Sequence, residues 1–343
     1  MPFSPHYVYF EKNALDYPLG KELFHYFQQK GQEISFTDSH NRIRGLPGNS
    51  PQEKFVVSKK TLVVGVRKTL NFSGCKPSAH YQLPLVTGCP GLCEYCYLHT
   101  TLGSRPYLRL YVNIDEILQQ AHLYINERLP ETTYFEGSAT SDPLSVEQLG
   151  GSLGKAIDFF ARTSQGHFRF ATKQVEVEPL LKINHKGHTR VRFSINTGNI
   201  IKKFEKGTPP LQARIKGGRK ILQAGYPLGF LVAPIFIFSG WQEEYRALFA
   251  SLAEEISPLL TNDREQLTFE FVTHRFTPRA QKNITTLYPE TQLPMDKSER
   301  KFKYGQFGYV KYIYPPETME EIKEFFKSLT ESFFPTSKVE YIV

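Results

Sequence analysis

Gly88-Cys89-Pro90-Gly91-Leu92-Cys93-Glu94-Tyr95-Cys96-Tyr97 sets three cysteines in a Cys-x3-Cys-x2-Cys run with an aromatic residue before the last. A loop of that size places three thiolates on three corners of an iron–sulfur cube and leaves the fourth iron without a protein ligand. An open iron can bind a small chelating molecule and hand it an electron, so the run describes a reactive centre more than a structural staple. A structural zinc asks for four protein ligands, usually in two close pairs. Here the nearest fourth ligand is His99, in a spacing unlike any zinc finger. A ferredoxin would need a fourth cysteine for its cube. The remaining cysteine, Cys75, lies fourteen residues upstream and reads as a lone buried thiol.

Around this loop the chain alternates strand and helix. Gln82 to Val86 reads as a strand leading into the cysteines, followed by a helix from Ile114 to Leu129. Further strands are expected at Tyr134 to Glu136, Phe168 to Thr172, Val191 to Ile195, Leu228 to Ile237 and Leu267 to Val272, with helices at Val146 to Arg162, Leu211 to Ala224 and Trp241 to Leu260. Such an order predicts an α/β protein with parallel strands and covering helices. The residues able to do chemistry fall just past the carboxyl ends of those strands: Cys89, then Ser141 and Asp142, Lys173, Ser194 and Asn196, and finally His274 and Arg275. Barrel enzymes build their sites on that face. Six strands leave a barrel incomplete, with an open side for a large substrate.

We therefore expect a partial (β/α)6 TIM-like barrel over residues 81–290. Before it, residues 1–80 read as a polar, loop-rich extension with a helix near Leu19 to Gln29 and a strand at Thr61 to Val66. After it, residues 291–343 read as a β-hairpin plus helix. Arg300 to Tyr314 interleaves aromatic and basic residues around Gly305-Gln306-Phe307-Gly308, and Pro315-Pro316 closes it before a helix from Glu317 to Leu329. Aromatic and cationic groups presented together form a stacking platform for unpaired bases. Phe302 and Tyr314 are expected to pack inward, with Tyr304, Phe307 and Tyr309 near the tip, while Trp241 is expected to anchor the core.

Composition sets limits. The 343 residues are 40% hydrophobic and 14% aromatic, ample for a packed core. Forty-two Lys and Arg against thirty-four Asp and Glu give a net charge of +8, which favours a polyanionic partner. The charge concentrates at Lys202, Lys203, Lys206, Arg214, Lys216, Arg219 and Lys220, and again at Lys297, Arg300, Lys301, Lys303 and Lys311. Each cluster reads equally as a solvated face or as phosphate contact. Clustered cysteines without an apolar leader, and no stretch able to span a bilayer, point to a reducing, cytoplasmic setting with no membrane partner.

The cysteine spacing is the signature of the radical S-adenosylmethionine (SAM) enzymes. The longer run Cys75-Lys76-Pro77-Ser78-Ala79-His80-Tyr81-Gln82-Leu83-Pro84, together with Phe135-Glu136-Gly137-Ser138-Ala139-Thr140-Ser141-Asp142 and the segment from Lys311 to Met319, resembles the spore photoproduct lyase family over nearly the whole chain. That resemblance implies a DNA-repair lyase that returns the spore photoproduct (5-thyminyl-5,6-dihydrothymine) to two thymines. A SAM-derived deoxyadenosyl radical would take the C6 hydrogen of the lesion. The resemblance further implies a 4Fe-4S cluster on Cys89, Cys93 and Cys96, and SAM held by the Tyr95 backbone, Ser141, Asp142, Lys173 and Ser194. Tyr95 and Tyr97 would serve the radical return path. Damaged double-stranded DNA in a bacterial spore or germinating cell would be the partner, and flavodoxin or ferredoxin the electron donor. Arg275, Lys303 and Tyr304 are expected at the lesion. Where the family carries its hydrogen-donor cysteine this chain has Ala139, which the resemblance reads as an impaired, engineered cysteine-to-alanine form. Two rival readings share the cluster loop: a radical SAM enzyme acting on RNA or a peptide, and a cluster-based redox-sensing DNA-binding protein.

Overall fold

The computed structural model describes residues 3–343 apart from Ser104, Ser138, Asn262, Arg264, Glu265, Gly305, Gln306, Phe307 and Tyr309. Ser138 of the Phe135–Asp142 run and the tip aromatics Phe307 and Tyr309 thus lie outside the described residues. Packing divides the chain into two compact units, Met1–Gly91 with Leu102–Arg190, and Leu92–Thr101 with Val191–Val343.

The first unit holds a sheet that the sequence reading missed. Strands Ile34–Thr37, Tyr7–Glu11, Thr61–Gly65 and Leu108–Tyr111 run parallel in that order, with Val86–Thr87 antiparallel at the edge. Residues 1–80 are therefore built on crossovers, not loops. Pro18 at its first turn starts the helix Pro18–Gln29, which carries the chain from Tyr7–Glu11 to Ile34–Thr37. Ser50 and Glu53 form a capping box that starts the helix Pro51–Lys59. That helix crosses back to Thr61–Gly65, a strand buried along its whole length as a central parallel strand requires.

A second set of strands in this unit comprises Gly74–Cys75, Ala79–Leu83, Thr133–Gly137 and Gly166–Thr172. The last three are parallel, with Tyr81 opposite Phe135 and Phe168 beside Phe135. The expected strand Gln82 to Val86 is broken at Pro84, which cannot donate to a ladder, so its end becomes the separate strand Val86–Thr87. The expected helix Val146 to Arg162 is likewise interrupted at Gly151, whose φ of 59° is left-handed, and resumes as Ser152–Ala161. Phe135, Phe160 and Phe168 pack between strands and helix with ring centroids 5.3 Å apart.

In the second unit, Thr189–Ile195, Leu228–Ile235, Leu267–Thr273 and Lys338–Ile342 are parallel neighbours in that order. The final strand was not foreseen. Helices Leu211–Gln223, Trp241–Ile256 and Pro316–Phe333 supply the apolar cover, and Phe249, Phe269, Phe271 and Phe326 form its centre. Trp241 is buried edge-to-face on Phe325 at 4.8 Å, the core anchor expected of it. The hairpin pairs Lys301–Tyr304 with Val310–Ile313, and Phe276 and Tyr312 exchange two backbone hydrogen bonds that hold its base.

Candidate functional site

Gly88 introduces the cysteine loop with φ +87°, and a Cβ there would lie 2.5 Å from the Tyr107 carbonyl oxygen, so only glycine fits. Its N–H donates to the Thr140 carbonyl at 3.0 Å, and Gly88 and Ser141 pair as a parallel bridge. The entrance of the loop is thereby fixed to the segment Ala139–Asp142 at the end of strand Thr133–Gly137. Cys89 is half-buried; its sulfur accepts the Gly91 N–H at 3.4 Å and its carbonyl accepts the Lys59 ammonium at 2.9 Å.

Asp142 is buried at the same strand ends. Its oxygens accept the Thr172 hydroxyl at 2.7 Å and the Lys173 backbone N–H at 2.8 Å, which ties the ends of two neighbouring strands together. Burial pushes its carboxyl pKa up and those bonds oppose the shift. Ser141 and the Lys173 side chain remain half-exposed beside it. The first unit thus brings Cys89, through the Gly88 bridge, beside Ala139, Ser141, Asp142 and Lys173 at the carboxyl ends of the parallel strands Thr133–Gly137 and Gly166–Thr172.

In the second unit, Leu92–Cys93 pairs antiparallel with Glu205–Lys206. Cys93 is buried, Cys96 half-buried, and the Cys96 N–H donates to the Cys93 carbonyl at 3.2 Å. His99 is buried with Nε2 against the same carbonyl at 2.9 Å. Glu94 pairs with Lys206 at 3.2 Å and accepts the Thr291 hydroxyl at 2.6 Å. The Tyr95 hydroxyl donates to Glu205, and Glu205 in turn pairs with Arg214 at 2.6 Å in full burial. Burial, Glu205 and Cys93 hold the Tyr95 phenol far above its ordinary pKa. Tyr97 is 55% exposed. Ser194 is buried and its carbonyl accepts Arg214 at 3.0 Å; Asn196, wholly buried, donates to the Pro234 carbonyl at 2.7 Å.

Several charged positions change meaning. Arg214, grouped in sequence with solvent or phosphate contacts, is a buried brace for the cysteine loop through Glu205, Ser194 and the Thr208 hydroxyl. Lys206 and Arg219 are paired with Glu94 and Glu255. Cys75 is half-exposed on Gly74–Cys75, not the buried thiol expected. Lys59 and Glu205 were not singled out at all: nothing in their local sequence signals that helix and strand geometry carries them to the cysteines.

On the hairpin Lys303 stands directly opposite Lys311, and Tyr304 is 70% exposed. Burial, Arg275 and Lys303 together lower the Lys311 pKa. Arg275 is exposed, whereas its neighbour His274 is buried and held neutral, its pKa pushed down to about 3 by burial and by Arg300. Tyr314 is buried under the Arg300 guanidinium at 3.7 Å, as expected, but Phe302 is 47% exposed.

The cysteines suit an iron–sulfur group. None is in a disulfide, and a backbone N–H already points at one sulfur. Among the described residues no three His, Cys, Asp or Glu side chains converge on a single ion position. A cube makes no such demand, because each cysteine holds a different iron.

An α/β fold with a three-cysteine loop just past a strand, and polar groups at the following strand ends, defines a radical SAM protein. The spore photoproduct lyase family model matches residues 3–343, and the chain belongs to that family. Spore photoproduct lyases of Geobacillus sp. and Bacillus subtilis are each 48% identical to it, the first over 99% of both chains, the second over 99% of this chain and 98% of its own. A solved spore photoproduct lyase mutant with bound AdoMet and dinucleoside spore photoproduct, 48% identical, covers both chains completely at a TM-score of 0.97. A second structure, complexed with the dinucleoside photoproduct, matches equally well.

Proposed function

We propose that this protein reverses the spore photoproduct in DNA, with Cys89, Cys93 and Cys96 holding a 4Fe-4S cluster and Ser141, Lys173 and Ser194 contacting SAM. When bound and reduced by a small electron carrier such as flavodoxin or ferredoxin, the cluster and SAM together supply a deoxyadenosyl radical for removal of the lesion's C6 hydrogen. The observation that carries this reading is the tie between Gly88 and Thr140–Ser141, which sets the first cysteine against the strand-end loop bearing position 139. The protein's own part is to hold the target against the radical source and keep water out. Asp142 does this indirectly, by fixing the Lys173 backbone. Tyr95 acts through its backbone, since its hydroxyl is engaged by Glu205. Arg275, Lys303 and Tyr304 serve the duplex, and the working compartment is the cytoplasm of the spore-forming cell.

After the methylene bridge breaks, the thymine radical must regain a hydrogen, and the Ala139 methyl holds its hydrogens too strongly to give one. Cys75 is the one cysteine outside the cluster loop. The AdoMet-bound relative combines a cysteine-to-alanine with a serine-to-cysteine replacement, sixty-four residues apart, which is the separation of Ala139 and Cys75 here. The turn after Cys75 is joined to strand Thr133–Gly137 by the Ser78 hydroxyl, which donates to Glu136 at 2.6 Å. We assign the returned hydrogen to Cys75, so the chain is a working enzyme with its donor relocated.

The test is anaerobic turnover of dinucleoside photoproduct, scoring deoxyadenosine and repaired thymines separately. Cys75→Ser should lower thymine yield per deoxyadenosine at least tenfold, and adding Ala139→Cys should restore it. Unchanged yield in Cys75→Ser would leave the chain as the impaired form that Ala139 alone implies. Absence of deoxyadenosine in the wild type would defeat the lyase reading itself.

A further inference from the structure

The helix Pro51–Lys59 ends on a side chain with no evident reason to be charged. Lys59 is 3% exposed. Its ammonium donates to the Cys89 carbonyl at 2.9 Å and stands 5.2 Å from the centre of the Phe55 ring. Among the described residues it has no carboxylate partner. A buried ammonium facing only a carbonyl and a ring is costly, and folded chains keep such a charge where an anion offsets it. Cys89 is where such an anion would stand: a 4Fe-4S core on three thiolates is anionic when oxidised and gains a further negative charge on reduction.

We propose that Lys59 is the buried countercharge of the cluster, a positioning residue that fixes the Cys89 backbone and favours the reduced state over the oxidised one. The inference rests on the cluster reading above. Its chemistry follows from Coulomb's law at low dielectric: a fixed cation beside the cluster stabilises the more negative state more than the less negative one. An electron carrier of given potential therefore reduces more of the protein than it would without Lys59. No atom of Lys59 takes part in the reaction.

The test compares Lys59→Gln with Lys59→Arg. Both side chains can donate to the Cys89 carbonyl, and only arginine keeps the charge. Each protein is loaded anaerobically, assayed for iron and sulfide, and titrated electrochemically by EPR without SAM or DNA. At a fixed potential the ratio of reduced to oxidised cluster should fall about tenfold in Lys59→Gln, equal to about 59 mV for a one-electron couple. In Lys59→Arg it should stay within threefold of the wild type. A fall of less than threefold in the glutamine variant, or an equal fall in the arginine variant, overturns the proposal. The cluster-free proteins give a second readout. Relief of an uncompensated charge means that cluster-free Lys59→Gln melts no lower than the wild type; a lower melting temperature, or failure to fold, marks Lys59 as a simple anchor and overturns the proposal too. A wild type that takes up no iron would instead remove the cluster reading.

Discussion

Single side chains here are decided by what surrounds them. Glu147 is buried, accepts the Leu153 and Gly154 N–H groups at 2.7 and 2.8 Å, and has its carboxyl pKa raised to about 7 because burial outweighs those bonds. Its ordinary value is 4.5, so between pH 4.5 and 7 the folded chain binds a proton that the unfolded chain has released. Stability linked to Glu147 is therefore present at low pH and is lost as pH rises through 7, by on the order of 3 kcal/mol. Glu147→Gln should remove that dependence. The wild-type melting temperature minus that of the variant should fall from pH 5 to pH 8, and taking the difference cancels His274, which loses stability in the opposite direction as pH falls below 6.5. A flat difference would mean that the two N–H bonds, not burial, govern the carboxyl. The cysteines were readable from sequence because their spacing is itself the chemistry. Arg214 was not, since a basic residue looks the same in sequence whether it meets water or a buried carboxylate.

At the level of elements, the hairpin is where two like charges meet. Lys303 and Lys311 face each other across the two strands, an arrangement that costs stability. Tyr304 beside them is exposed. A polyanion removes that cost. Lys303→Ala should weaken duplex binding uniformly across sequences and reduce the slope of log affinity against log salt by about 1, the share of one phosphate contact. An unchanged slope would take the hairpin off the DNA. Element boundaries were legible where periodicity was long, as in Ile114–Arg128 and Leu211–Gln223, and failed where one residue intervened, as at Pro84 and Gly151. The short strands Tyr7–Glu11, Ile34–Thr37 and Leu108–Tyr111 escaped notice because their pairing partners lie far along the chain.

For the molecule as a whole, a cluster held by the three cysteines would link stability to cofactor loading. A group bound by the folded chain and not by the unfolded one raises the melting temperature. Anaerobic loading with iron and sulfide should thus raise the melting temperature of the wild type, and Cys93→Ala should abolish the rise while leaving the unloaded protein nearly as stable. Equal melting of loaded and unloaded wild type would show that the cysteines hold nothing that matters to the fold.

By itself the sequence determined which groups are on offer: three cysteines at the radical SAM spacing, polar residues just past the strands, and a methyl group where a hydrogen donor is expected. Those are covalent facts of residue type and separation, and folding cannot alter them. Only the tertiary structure decided that Arg214 is a brace and not a phosphate clamp, that Cys75 is half-exposed, and that a lysine thirty residues before Cys89 ends against its carbonyl. Burial and partner choice arise from which distant segments pack together, and no local pattern of residues encodes that.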